Sequence, residues 1–409
     1  MKVSFFVSSL MNMPSRRVRD IAVSAWKNKR EDDELRSFLV LEAASRVNDS
    51  GMKDVYKGKE YFLTSCAVSQ RRAWVKGNEI VIDYTLDALG VNDVDVYRDS
   101  DAENIEETHG IRVSSAYVGR DIMRAYHQGY TDISVLVPPH MACDDMGLGM
   151  FAQLYVYALS GGDTFGEGAE GVASDIELAR ECAAWVESAS YEQIYERLRM
   201  VRQLFAGIRL RVYTAHPQRL LGFSGVARGF ESVDAYLAQN MEKRNSLWVS
   251  RIEKAFEESQ SSLIGIPTDF RDPYAGGGSG IAYILACVGA FSFSFVDFMY
   301  RCYEIELEDT DLIIYITSHI GVDLPLMLTH ISEQEIISPI VLVSDISGMH
   351  KSELPNLNLA GTYELRPEHA FISKTTEDIL LESDELEEKL YSVIQKIAHT
   401  WGWDSSMFT

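Results

Sequence analysis

The sequence predicts an α/β protein of doubly wound, mostly parallel sheet, and three observations carry that expectation. Short runs that are almost wholly apolar and β-branched, such as Asp132 to Val137 (DISVLV) and Asp311 to Thr317 (DLIIYIT), read as strands buried on both faces. Between such runs lie stretches whose apolar residues recur every three or four positions, the pattern of helices with one buried face. The length of 409 residues allows two domains or more, with ample core.

Composition narrows the class. With 46% hydrophobic and 24% charged residues the chain is that of an ordinary globular protein. Lys and Arg number 38 against 61 Asp and Glu, a net charge of −23, which argues against unspecific binding to nucleic acid or to an anionic membrane. Five cysteines, at 66, 143, 182, 287 and 302, form no C-x-x-C pair, so neither a zinc site nor a disulfide framework is expected. A reducing, cytoplasmic location fits. Val3 to Met13 lacks the flanks and cleavage site of a signal peptide. Ile281 to Tyr300 is long enough to span a bilayer, but Gly289, Asp297 and two serines interrupt it, so it reads as a buried helix running into a second element.

Taken in order, Lys2 to Val7 reads as a strand, and Pro14-Ser15 open a helix that places Val18, Ile21, Ala22, Ala25 and Trp26 on one face. Phe38 to Leu41 and Ile80 to Asp83 are further strands, and acidic Val91 to Gly110 is a solvated loop. Ser114-Ser115 cap a helix carrying Val118, Ile122 and Tyr126, which stops at Gly129. The strand 132–137 follows and ends at Pro138-Pro139, since proline has no ladder donor. Ala173 to Phe205 and Glu231 to Glu258 are long helical stretches on either side of a strand at Ile208 to Tyr213. Ile337 to Val343 is one more strand, and Asp384 to Trp403 a closing amphipathic helix.

Two stretches carry the polar chemistry. His140 to Gly149 (HMACDDMGLG) leaves the carboxyl end of a strand, where open α/β sheets place ligands. There Asp144 or Asp145 either takes a proton from a hydroxyl, holds Mg²⁺, or only caps the helix entering at Met146. Gly147 to Ala152 matches G-x-G-x-x-A but lies too far past the strand for a dinucleotide turn. In Asp272 to Ala282 (DPYAGGGSGIA), glycines ahead of an apolar helix aim successive amides at a phosphate or serve a tight backbone crossing. The anion site is the preferred of these two readings. No P-loop occurs, GGDTFGEGAEG lacks its Lys, and His216, His319, His330 and His350 lack metal-ligand spacing.

These stretches resemble the bacterial glycerate kinase family along nearly the whole chain. The motif T-x-G-x-G-E-L-I followed by G-G-S-A-T-N-D-G-G-A-G-M is matched at Val118-Gly119, Ile122, Ala142, Asp145, Gly147, Gly149 and Met150. The motif G-A-A-G-G-L-G-x-A is matched at Ala275, Gly277, Gly278, Gly280 and Ala282, and L-L-G-x-x-G-A-x-x-F by Leu220 to Phe230. Ser9 keeps the first Ser of D-S-F-K-G-S, but that motif's Asp, Lys and Gly are Ser8, Met11 and Asn12. D-G-G-E and P-Q-K-G-A are absent.

The resemblance implies a Rossmann-like or flavodoxin-like domain, 1–75 with 270–409, and an inserted α/β domain, 76–269. It implies transfer of a phosphoryl group from ATP, with Mg²⁺, to D-glycerate or a related small hydroxy acid. Asp145 would be the catalytic carboxylate; Gly276, Gly277, Gly278, Ser279 and Gly280 would bind phosphate. Ser9, Ser115, His140 and Asp144 would hold substrate, and Asp83 and Asp323 the metal. The partner is then a small molecule, with neither nucleic acid nor membrane, in a possible homodimer. Because several charged motif residues are lost, a catalytically silent metabolite-binding or regulatory protein is the second expectation. An NAD-dependent oxidoreductase is a distant third.

Overall fold

The computed structural model describes residues 1–10, 13–40, 62–65, 72–85, 110–160, 174–214, 217–230, 235–259, 269–303, 305, 307–320, 326–333, 337–347, 358–365 and 383–401. The chain divides into two compact units, 1–60 with 296–409, and 61–295.

The first unit is a five-stranded sheet, parallel throughout. Its strands are β1 (Lys2–Val7), β2 (Glu34–Leu39), β9 (Leu312–Ile320), β10 (Ile340–Ser347) and β11 (Leu359–Glu364), in the spatial order β11-β10-β9-β1-β2. Counted along the unit this is the 2-1-3-4-5 order of flavodoxin-like sheets, and the direction of winding reverses between β1 and β9. Alternation along β1 sorts the core. Phe5 meets Trp26 of α1 (Ser15–Lys27), while Phe6 meets Phe38 and Tyr315 on the opposite face. That opposite face packs on Val296 and Met299 of α8 (Phe295–Tyr303) and on Met327, Leu328 and Ile331 of α9 (Leu326–Glu333). The closing helix α10 (Ser383–Thr400) lies against α1, where Arg17 Nη2 sits 2.6 Å from Glu387 Oε2.

The second unit is a mixed six-stranded sheet. β3 (Phe62–Ser65), β4 (Arg72–Lys76) and β5 (Glu79–Asp83) pair antiparallel, while β5, β6 (Asp132–Val137), β7 (Arg209–Thr214) and β8 (Phe291–Ser294) run parallel. Ile80, Ile82, Ile133, Val135, Val137, Leu210 and Val212 form the floor of its core. Among its described residues the α-helices are α2 (Ala116–His127), α3 (Leu148–Leu159), α4 (Asp175–Ser188), α5 (Tyr191–Leu204), α6 (Ala235–Glu258) and α7 (Ile281–Cys287). Among the described residues no helix is long and apolar enough to cross a membrane.

The alternating α/β architecture is as the sequence predicts, with instructive departures. The stretch 173–205 is two helices, because Ser174 with Glu177 and Ser190 with Gln193 each form a reciprocal capping box that starts a new helix. The stretch 281–300 breaks at Gly289, φ 104°, into α7, β8 and α8. Because β8 pairs with β7 and α7 is buried in the second unit's core, 270–295 belongs to the second unit and not, as expected, to the first. The first boundary likewise moves, to 60/61, since β3 pairs with β4. Most of the acidic stretch 91–110, the glycine-rich turn 161–171, His216, Asp323 and His350 lie outside the described residues.

Candidate functional site

Within the second unit, the loop after β6 and the glycine-rich loop before α7 are stitched together. Gly278 N donates to Pro138 O (2.7 Å) and Ser279 N to Pro139 O (3.3 Å). Ser279 Oγ accepts from Met141 N (3.0 Å) and donates to Met141 O (2.9 Å). Among the described non-glycine residues only Met146 (φ 54°) and Ser279 (φ 59°) have left-handed backbone, and both lie in this pair of loops. Such strain persists only where the surroundings over-determine it, commonly at functional sites.

The same stitching corrects the anion-site reading. The remaining amides of the loop are also committed: Gly276 N donates to Gln218 O (2.7 Å), Gly277 N to Tyr274 O (3.0 Å) and Gly280 N to Gly276 O (3.0 Å). Thus all five N–H groups meet backbone carbonyls. The glycines instead permit close approach, since a Cβ on Gly276 would sit 2.4 Å from Arg219 O and one on Gly277 would sit 2.3 Å from Thr214 Oγ1. A tight crossing of backbone therefore accounts for the motif. With no amide left to donate, this cradle as it stands does not fit ATP phosphates.

The paired aspartates are equally committed. Asp145 has no exposed surface; its Oδ2 accepts from Ser115 N (2.7 Å), Ser115 Oγ (3.0 Å) and Gly149 N (3.1 Å), and its Oδ1 from Gly147 N (3.0 Å). One carboxylate thereby caps the amino-terminal turns of both α2 and α3, where the helix dipoles favour negative charge. Burial pushes this carboxyl up, against the pull of the Ser115 and Gly147 donors. With its two oxygens taken by four donors, this carboxylate shapes the loop and is not placed to accept from a substrate hydroxyl, contrary to the catalytic role expected of it.

Asp144 is also fully buried. Its Oδ1 accepts from Val113 N (2.9 Å) and Arg112 N (3.0 Å), and Arg244 of α6 donates to its main-chain oxygen with a nitrogen 3.7 Å from Oδ2. Burial pushes the Asp144 carboxyl up and the Arg244 guanidinium down, and each opposes the other's shift. Trp248 lies under the guanidinium, 5.1 Å from ring centroid to Cζ. Arg244 escaped the sequence reading, although it interrupts the apolar stripe of Leu237, Met241 and Trp248, a position where a cation needs a buried partner.

The other expected residues scatter. Ser115 serves Asp145 and accepts from Met150 N (3.0 Å). His140 lies partly exposed just past β6 with its ring against Gly229; burial lowers its pKa, and its Nδ1 has no protein partner. Asp83, at the carboxyl end of β5, accepts from Thr85 N (2.9 Å) and Thr85 Oγ1 (2.6 Å). Among the described residues no three His, Cys, Asp or Glu side chains gather as metal ligands.

Ser9 belongs to the first unit, where a second polar edge exists that the sequence reading largely missed. The ladders pair Val7 with Ile316 and Thr317 with Ser344, and Ser8 N continues to Ile316 O (2.9 Å). Ser8, Thr317 and Ser344 therefore form a row just past the end of β1 and three residues short of the carboxyl ends of β9 and β10, with Ser9 and Asp345 following in sequence. All five are buried, Thr317 and Asp345 completely. The row straddles the point where the winding reverses, the place where such sheets bind ligands. Its signal in the sequence was a hydroxyl or carboxyl directly after each apolar run.

No protein-family model and no characterised sequence matches the chain. Among solved structures, one described as "putative glycerate kinase 2 from Salmonella typhimurium LT2" is similar in fold, with a TM-score of 0.57 and 13% identity over 98% of each chain. At that identity the likeness establishes a shared fold. The chain thus shares the α/β fold of that structure.

Proposed function

We propose that this protein is a phosphotransferase of the glycerate kinase-like class, passing a phosphoryl group from ATP to a hydroxyl of D-glycerate or a related small hydroxy acid. The observation that carries the reading is the fold shared over 98% of both chains, combined with the hydroxyl row Ser8, Thr317 and Ser344 at the switch point of the first unit. In this reading Ser9 and the row hold the hydroxy acid, and Asp345 is the carboxylate that orients or deprotonates the acceptor hydroxyl. Asp145 and Asp144 keep the loop after β6 in shape. Phosphoryl transfer would draw on Mg²⁺, for which the described residues gather no set of three protein ligands.

A second reading, a silent binding protein on the same fold, is favoured by one observation. Every amide of the glycine loop and both aspartates of the loop after β6 are committed internally. The test is ATP- and Mg²⁺-dependent phosphorylation of a panel of hydroxy acids, D-glycerate first, with Asp345→Asn as the comparison. Turnover reduced about a hundredfold in a variant with an unchanged circular dichroism spectrum supports the kinase. Intact protein that binds a hydroxy acid in calorimetry and transfers nothing supports the silent binder.

A further inference from the structure

The longest helix among the second unit's described residues, α6, buries an apolar stripe whose centre is polar. Ala238, Asn245 and Ile252, seven residues apart, fall on one line, with Met241 and Trp248 on one side and Glu242 and Val249 on the other. Asn245 has no exposed surface, and neither its Oδ1 nor its Nδ2 meets a protein partner. Folded proteins rarely leave a buried amide side chain unmatched. One turn away, Glu242 accepts from Gly222 N at 2.8 Å through Oε1, while its Oε2 is buried and likewise unmatched.

Side chains three apart on a helix have Cβ atoms about 5–6 Å apart, close enough for one oxygen to reach both at hydrogen-bond length. The segment Leu220 to Phe230 covers this part of the helix. Its Gly222 amide is the one bonded to Glu242, and its Ala227 and Phe230 pack on Leu237, Ala238 and Met241. Arg244, next in sequence to Asn245, is engaged with Asp144.

We propose that Glu242 and Asn245 form a buried site for one hydroxyl oxygen, which donates to Glu242 Oε2 and accepts from Asn245 Nδ2. A carboxylate beside an amide suits a neutral group that both donates and accepts, and it disfavours an anion. Two sources supply that chemistry, a single internal water or the hydroxyl of a small polyol.

The test uses the full chain, wild type and Asn245→Leu, with thermal unfolding and oxygen-17 relaxation of water. If the occupant is water, the variant loses one long-lived internal water and its Tm falls by about 2–4 °C. If it is a polyol hydroxyl, glycerol raises the wild-type Tm with saturation and leaves the variant unmoved. A variant as stable as the wild type, with the same internal water count and no differential response to glycerol, overturns the proposal. A high-resolution crystal structure of the wild type decides independently of whether the variant folds. A peak within hydrogen-bond distance of both Glu242 Oε2 and Asn245 Nδ2 upholds the site, and featureless density between them rejects it.

Discussion

Asp33 shows how one carboxylate is read differently by sequence and by packing. It sits in the run Glu31-Asp32-Asp33-Glu34, which looks like a solvated surface, yet it is only 6% exposed. Burial pushes its carboxyl up, but hydrogen bonds from Arg30, the amino terminus and Trp26 Nε1 (3.0 Å) more than offset this and bring it to about 2. Because the folded value lies below the unfolded one, the interaction stabilises above about pH 4 and is lost as pH falls through about 2. Asp33→Asn is therefore expected to cost about 1–2 kcal/mol at pH 7 and almost nothing near pH 2, as checked by urea unfolding at both. A difference that persists undiminished at the acid end would contradict this account. Trp26 and Arg30 precede Asp33 by seven and three residues, but only the turn between α1 and β2 brings them together. The same limit hid Arg244, whose partner Asp144 lies a hundred residues away.

Elements were more legible than their partners. The apolar runs 132–137 and 311–317 had to be strands, and two serine capping boxes show why one long helical stretch became α4 and α5. The glycine loop was recognisable as unusual backbone, but five small residues before a helix suit an anion or a crossing chain equally. What decides is the carbonyls at Pro138, Pro139 and Gln218, which periodicity cannot place. Gly277→Ala tests the crossing. Its added methyl would meet Thr214 Oγ1 at 2.3 Å and Cγ2 at 2.6 Å, so a loss of about 1–3 kcal/mol is expected. Thr214→Ala in the same chain makes room and should recover much of that loss, a coupling that chemical unfolding of the single and double variants would measure. If the two changes simply add, steric contact with Thr214 is not what requires glycine there.

At the scale of the whole molecule, the order of elements along the chain dictates which part can stand alone. The first unit is assembled from both ends, since β1 pairs with β9 about three hundred residues later, whereas the second is the continuous segment 61–295. Its six strands and its core need nothing from the flanking chain to complete their pairing, and β8 is the last strand of that sheet. The segment 61–295, expressed alone, is expected to unfold cooperatively in urea with a far-UV spectrum of mixed helix and strand. Ending the segment at 269, the boundary that the family resemblance implied, removes β8 and α7. With them go Ile281, Tyr283, Ile284 and Leu285, all at most 1% exposed, and the glycine loop that ties down the loop after β6. Losing several such side chains exceeds the 5–15 kcal/mol by which domains are stable, so the shorter segment should show no cooperative transition. Equal cooperativity of the two segments would mean that β8 and α7 are appended to this unit and not part of its core.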